Sequence, residues 1–218
     1  GGPVAFVGSS MAENAQRFRA VFPERFAALY GGTPQALRAG QQLAVAVLDA
    51  QRQDLSTYRV PELVDALAPD LRARALAAGQ RDDPVAMLGE MAAAERRLTA
   101  VARLGRRGIA VWGDPGWRLT RRHGADYRGW AGHYRDLTRI YAAAEVHVDI
   151  GRFYQTDIVP MRIFDIAACG GFVLAEHSEA LEELFDVGSE IVAWRTLEEL
   201  EALVDHYLAH PDERARIA

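Results

Sequence analysis

The chain contains no lysine: all 25 basic residues among its 218 are arginine. A nucleoside-triphosphate loop of the G-x-x-x-x-G-K-[ST] type is therefore excluded, and any phosphate contact must come from guanidinium groups or backbone amides. Cysteine is nearly absent too. The single residue, Cys169, excludes an internal disulfide and a cysteine-based metal cluster. Its apolar neighbours predict a small buried hydrophobe rather than a nucleophile. No apolar run approaches the roughly 18 residues of a membrane span. The six histidines (123, 133, 147, 177, 206 and 210) show no ligand spacing and no HExxH, so no metal site is expected. The start, Gly-Gly-Pro-Val, has no basic n-region. No secretory signal is expected, and the chain reads as a cytoplasmic piece of a longer protein. With a formal net charge of −5, the chain offers no electrostatic case for nucleic acid or an anionic membrane.

What is present is the composition of a soluble globular protein, half apolar and a quarter charged, long enough for one large or two small domains. Val4–Val7 reads as a short strand closed by Gly8, Ser9 and Ser10. Helical spacing follows from Glu13 to Tyr30, with Pro23 expected to kink or divide the helix. From Thr33 to Leu104 the pattern is helical throughout. Pro34, Pro61 and Pro84 stand near the starts of helical runs and Asp83 as an N-cap. After Arg106-Arg107-Gly108 strands alternate with helices. Strands are expected at Ile109–Trp112, Tyr127–Trp130, Val146–Ile150, Phe172–Ala175 and Ile191–Trp194. Helices are expected at His133–Ala144, Pro160–Cys169, Glu179–Phe185, Leu197–Ala209 and from Pro211.

This alternation predicts an α/β protein with a Rossmann-like, doubly wound parallel sheet of six strands. An all-helical insertion follows the first βα unit. The expected division is residues 1–32 with 105–218 for the sheet domain and 33–104 for the insertion.

Parallel sheets bind ligands at the carboxyl ends of their strands. The residues just after each strand therefore carry the functional expectation. Gly8, Ser9 and Ser10 let a phosphate approach backbone amides, as helix N-termini do. A G-x-G-x-x-G fingerprint is missing there, which argues against a dinucleotide-dependent oxidoreductase. Gly113 closes the second strand, Arg118 opens a basic patch after it, and Arg152 follows the fourth strand. His177 is the one histidine placed to touch a ligand.

The run from Val159 to Leu174, VPMRIFDIAACGGFVL, resembles the signature of GT-B glycosyltransferase donor domains. Within those it is most similar to the spore-maturation (CgeB-type) glycosyltransferases. Supporting segments are VAFVGS at residues 4–9, VWGDPGW at 111–117 and LFDVGSEIV at 184–192. The likeness covers residues 108–218 well and 4–26 loosely. It implies the C-terminal, donor-binding half of an enzyme that moves a sugar from a nucleotide diphosphate, of UDP type, to an acceptor. Asp165 takes the place of the acid that holds the ribose hydroxyls, and Asp157 that of the earlier acid in an E-x7-E pattern. Both positions carry Asp where Glu is usual, which shortens the reach by about 1.5 Å. Arg162 stands in the helix motif, where its fork suits a diphosphate and its charge a leaving group. Trp130, Ala131 and Tyr134 would border the base. The resemblance implies no cofactor beyond the nucleotide-sugar donor, and an N-terminal acceptor-binding half as the chain's own partner.

A rival reading keeps the fold but makes the chain a degenerate, non-catalytic binding or assembly module. The Asp-for-Glu changes and the missing lysine favour it. A flavodoxin- or receiver-like domain is a third, which would need an acidic cluster after the first strand, where Gly8, Ser9 and Ser10 stand instead.

Overall fold

The computed structural model describes residues 2–80 and 83–218. They form two compact units, one comprising the residues up to Ser10 with Arg97–Ala218, the other Met11–Arg96. Among the described residues no helix is long and apolar enough to cross a membrane.

The first unit is an α/β domain. Its strands are β1 (Val4–Val7), β2 (Ile109–Trp112), β3 (Asp126–Gly129), β4 (Val146–Val148), β5 (Val173–Glu176) and β6 (Val192–Trp194). They form one all-parallel sheet in the order β3-β2-β1-β4-β5-β6. That is the Rossmann order, and the expected doubly wound α/β architecture is present. Strands buried on both faces need apolar residues at every position rather than at alternate ones. Here β4 and β6 are buried throughout, and β1, β2 and β5 at all but their last residue. Edge strand β3, with sequence DYRG, alternates between exposed and half-buried.

Helices α6 (Asp136–Ala143), α7 (Met161–Ala168) and α8 (Glu179–Leu184) pack on one face of the sheet. Their core joins Tyr141, Ile163, Ile166 and Leu181 to Val173, Ala175 and Ala193 of the strands. Leu174 and Val192, one residue out of phase, are buried on the opposite side of the pleat. Helix α9 (Leu197–Ala209) packs against β4, β5 and β6, and Tyr207 on it meets the Phe172 ring at 4.5 Å. Its start follows from sequence: Thr196 accepts from the Glu199 N–H at 3.0 Å, while Glu199 reaches back to the Arg195 N–H. Helix α10 (Pro211–Ile217) closes the chain.

The second unit is helical. It holds α1 (Ala12–Leu29), α2 (Pro34–Arg52), α3 (Val60–Leu67), α4 (Leu71–Ala77) and the first part of α5 (Pro84–Leu104), which continues from Arg97 into the α/β unit. Thr33 caps α2 by accepting from the Ala36 N–H, and Asp83 accepts from the Val85 N–H at the start of α5. Pro23 neither divides nor ends α1, which runs unbroken past it. Helices α1 and α2 meet at Gly40, where a Cβ would lie 2.9 Å from Phe26 Cβ. This unit stands in the chain between β1 and β2, which are neighbours in the sheet.

One buried titratable group gives a testable pH dependence. His147 on β4 is 1 % exposed and donates from Nε2 to the Tyr141 carbonyl at 2.9 Å. Burial pushes its imidazole from 6.5 down to about 4, with that hydrogen bond only partly opposing. The folded state thus binds fewer protons than the unfolded one across this window. The stabilisation is complete above pH 6.5 and is lost as pH falls towards 4. Stability is expected to drop by about 3 kcal/mol over that range. Urea midpoints should show a shallower fall in His147→Gln than in the native chain.

Candidate functional site

In a sheet ordered 3-2-1-4-5-6, the chain leaves β1 towards one side and β4 towards the other, opening a crevice at their carboxyl ends. Its walls are the loop after β1, containing Gly8, Ser9 and Ser10, and the loop after β4, containing Asp149, Ile150, Gly151 and Arg152.

The floor is an arginine–carboxylate cluster. Asp149 is 1 % exposed and accepts from Arg162 Nε at 3.0 Å and from Arg162 Nη2. Arg162 Nη1 donates to the Val7 carbonyl at 2.9 Å, so this one side chain ties α7 to both β1 and β4. The guanidinium also lies over the Phe6 ring, 5.1 Å from its centroid. Gly8 is small for a reason: a Cβ there would sit 2.9 Å from Phe6 Cζ and 3.2 Å from Arg162 Nη1.

The loop after β2 locks onto the loop after β1. Gly113 has φ 151°, and a Cβ on it would lie 2.0 Å from the Gly8 carbonyl oxygen. That same oxygen accepts from the buried Trp117 indole at 2.8 Å. Asp114 takes the Ser9 hydroxyl at 2.8 Å, the Ser10 amide at 2.6 Å and the Ser10 hydroxyl, and caps the following 3-10 helix (Pro115–His123) through the Gly116 N–H. Burial works to raise the Asp114 carboxyl, but the donors from Ser10, Ser9 and Gly116 outweigh it and hold it below the usual range. On the other wall Glu176, ending β5, accepts from the Gly151 N–H at 2.8 Å.

Gly8, Ser9, Ser10, Gly113 and Arg162 are thus gathered at one place. Asp165 lies one turn beyond Arg162 on α7, half-buried. Arg162 turns to Asp149 rather than pairing with it, and the Asp165 carboxylate has no hydrogen bond or ion pair among the described residues. Asp157 is exposed and accepts only a weak contact from the Thr156 hydroxyl at 3.3 Å. Arg152 is exposed, with Nη1 3.4 Å from the Tyr154 hydroxyl. Arg118, Trp130, Ala131 and Tyr134 belong to the β2–β3 end of the sheet and, among the described residues, share no hydrogen bond with the Arg162 cluster. Trp130 and Tyr134 are 80 % and 89 % exposed. His177 is bound to Glu182 at 2.6 Å. Cys169 is half-buried at the margin of the α6–α8 core rather than inside it.

Two residues of the site, Arg97 and Asp149, were not singled out by sequence reasoning; Asp114 and Glu176 stand among the residues expected to matter just after their strands. Asp114 had a signal, an acid followed by proline and glycine as in an N-cap. Asp149 and Glu176 also had one, a carboxylate at the end of an apolar strand. Arg97 had none, because an arginine within a helix usually marks a wet face.

A second cleft lies elsewhere. It measures about 860 Å³ and is lined by Arg103, Arg106, Arg107, Arg122, Glu201 and Asp205, among others. These belong to the amino-terminal side of β2 and β3, and Arg107 there is held by Asp205 and Glu201 at 2.6 and 2.8 Å. The crevice at the strand carboxyl ends remains the stronger candidate, because the Rossmann topology opens it.

A family model described as glycosyl transferase-like matches residues 92–218, and the chain belongs to this glycosyl transferase-like family. The matched segment spans β2 to β6 with α7 and its Arg162 and Asp165, but not β1. No curated protein and no solved structure matches the chain. Membership implies a sugar donor.

Proposed function

We propose that this chain binds the nucleotide-diphosphate sugar donor of a GT-B glycosyltransferase and forms its C-terminal half. One observation carries the reading: Asp165 presents an unengaged carboxylate on the helix after β4, beside a switch-point crevice floored by guanidinium groups. A carboxylate there can accept from two adjacent ribose hydroxyls. The diphosphate would lie towards Gly8, Gly113 and Arg152. Arg162 spends three N–H groups on Asp149 and Val7, which leaves two of its five for a phosphate oxygen.

In the reaction the bond from the anomeric carbon to the diphosphate breaks and a bond to the acceptor oxygen forms. The acceptor's proton leaves to a base, and the departing diphosphate gains negative charge that Arg162 would offset. Asp157 would stand on the donor-sugar side. Trp130, Ala131, Tyr134 and Arg118 would border the base or the phosphates. The acceptor would bind to a second Rossmann-like half, and the described residues contain one parallel sheet. Residues 33–104 would be a helical insertion, whose Arg97 reaches the crevice loops.

A specific observation favours a second reading, a non-catalytic module. Asp114 already occupies the Ser9 hydroxyl and the Ser10 amide and hydroxyl, donors a phosphate would otherwise take. Calorimetric titration with UDP, GDP and ADP separates the two. Donor binding predicts that one of them binds below millimolar; no binding by any of the three leaves the module.

A further inference from the structure

Arg97 is 6 % exposed, and among the described residues it pairs with no carboxylate. Its guanidinium spends itself on backbone instead: Nη1 donates to Ser9 O at 2.8 Å, Nη2 to Ile150 O at 2.8 Å and Nε to Gly151 O at 3.2 Å. One of these carbonyls belongs to the loop after β1 and two to the loop after β4, so a single side chain fastens both walls of the crevice.

The fastening decides where the amides point. A trans peptide holds its C=O and N–H on opposite sides, so each carbonyl turned onto Arg97 turns the next amide away from it. The Ser10 and Gly151 amides so directed meet Asp114 and Glu176. The third, on Arg152, has no partner among the described residues.

Charge adds to geometry. Among the charged groups acting on Arg97 are Arg152 and Arg162, opposed by Asp149 and Glu176. Burial and the neighbouring Arg162 push Arg97 down to about 10, which leaves it cationic at neutral pH.

We propose that Arg97 is a positioning residue for a pyrophosphate-bearing ligand: it fixes both crevice loops through their carbonyls, directs the Arg152 amide away from itself, and holds a buried positive charge beneath them. The nucleoside part of that ligand rests on the donor-binding reading above; the pyrophosphate part does not.

The test is isothermal titration of the native chain, Arg97→Met and Arg97→Lys with inorganic pyrophosphate, UDP and uridine. The native chain is expected to bind pyrophosphate. Arg97→Met should weaken pyrophosphate and UDP at least tenfold while uridine stays within twofold. Arg97→Lys keeps the charge but not the fork and should recover part of the loss. Equal pyrophosphate binding by the native chain and Arg97→Met overturns the proposal, as does a native chain that ignores pyrophosphate. A loss of uridine affinity as large as that of UDP overturns it too, since that marks a purely structural role. A native chain that binds pyrophosphate but gains nothing from the nucleoside upholds Arg97 and removes the nucleotide reading. Should Arg97→Met fail to fold, the decision passes to Arg97→Lys, expected to lose at least threefold for pyrophosphate; an unchanged affinity overturns the assignment.

Discussion

Asp149→Ala is expected to destabilise the α/β unit by about 3–5 kcal/mol, the range for removing one partner of a buried ion pair. The carboxylate is almost fully enclosed, and the Arg162 side chain opposite it is 17 % exposed. Taking the carboxylate away leaves that guanidinium desolvated with only the Val7 carbonyl to answer it. It also removes a carboxylate that offsets Arg97. The loss should appear as a lower urea midpoint. Arg162→Met should cost a similar amount, because it strands Asp149 in turn. The double variant Asp149→Leu with Arg162→Met should cost less than the two singles summed, since no unpaired charge remains. A loss below about 1 kcal/mol for Asp149→Ala would mean that the cluster is wetter than its burial implies.

Asp165→Ala should behave in the opposite way. Its carboxylate is half-buried and bonded to nothing among the described residues, so folding stability should stay within about 0.5 kcal/mol of the native value. Nucleotide affinity should fall by about 1–3 kcal/mol, roughly five- to 150-fold, through lost charge-assisted hydrogen bonds to the ribose. Asp165→Glu adds a methylene and about 1.5 Å of reach, and is expected to bind at least as tightly as the native chain. A variant series in which affinity is flat across Ala, Asp and Glu would move the ribose elsewhere. The contrast with Asp149 separates a residue that holds the fold from one that holds a ligand.

Much of the sheet was legible because buried parallel strands declare themselves as unbroken apolar runs. VAFV, IAVW and the helix LEELEALVDHYLA fall on the expected residues. The edge strand did not: β3 is Asp126–Gly129 rather than Tyr127–Trp130, because an edge strand carries no apolar run and Gly129, at φ 86°, ends it. Strand β4 stops two residues early, where the chain turns into a crevice loop, and β5 and β6 each shift by one residue at an end. The 3-10 helix Pro115–His123 shows in the sequence only as a basic patch from Arg118, since only Trp117 and Thr120 of it are buried, too few to set a period.

In the site, motif position located Arg162 and Asp165, but not what Arg162 touches. Its partner Asp149 is 13 residues away, and Arg97 reaches carbonyls 53, 54 and 88 residues distant. Burial of a charged side chain depends on such distant partners, and spacing along one chain carries no trace of them. The Asp114 lock on Ser9 and Ser10 escaped for the same reason, across about 105 residues.

The most direct measurement is a crystal structure of the chain with UDP. The account predicts an Asp165 carboxylate oxygen within about 3.2 Å of a ribose hydroxyl. It also predicts the diphosphate between the loops after β1 and β4, above Arg97 and Arg162. A bound UDP whose ribose lies away from α7, with Asp165 facing bulk water, would contradict it.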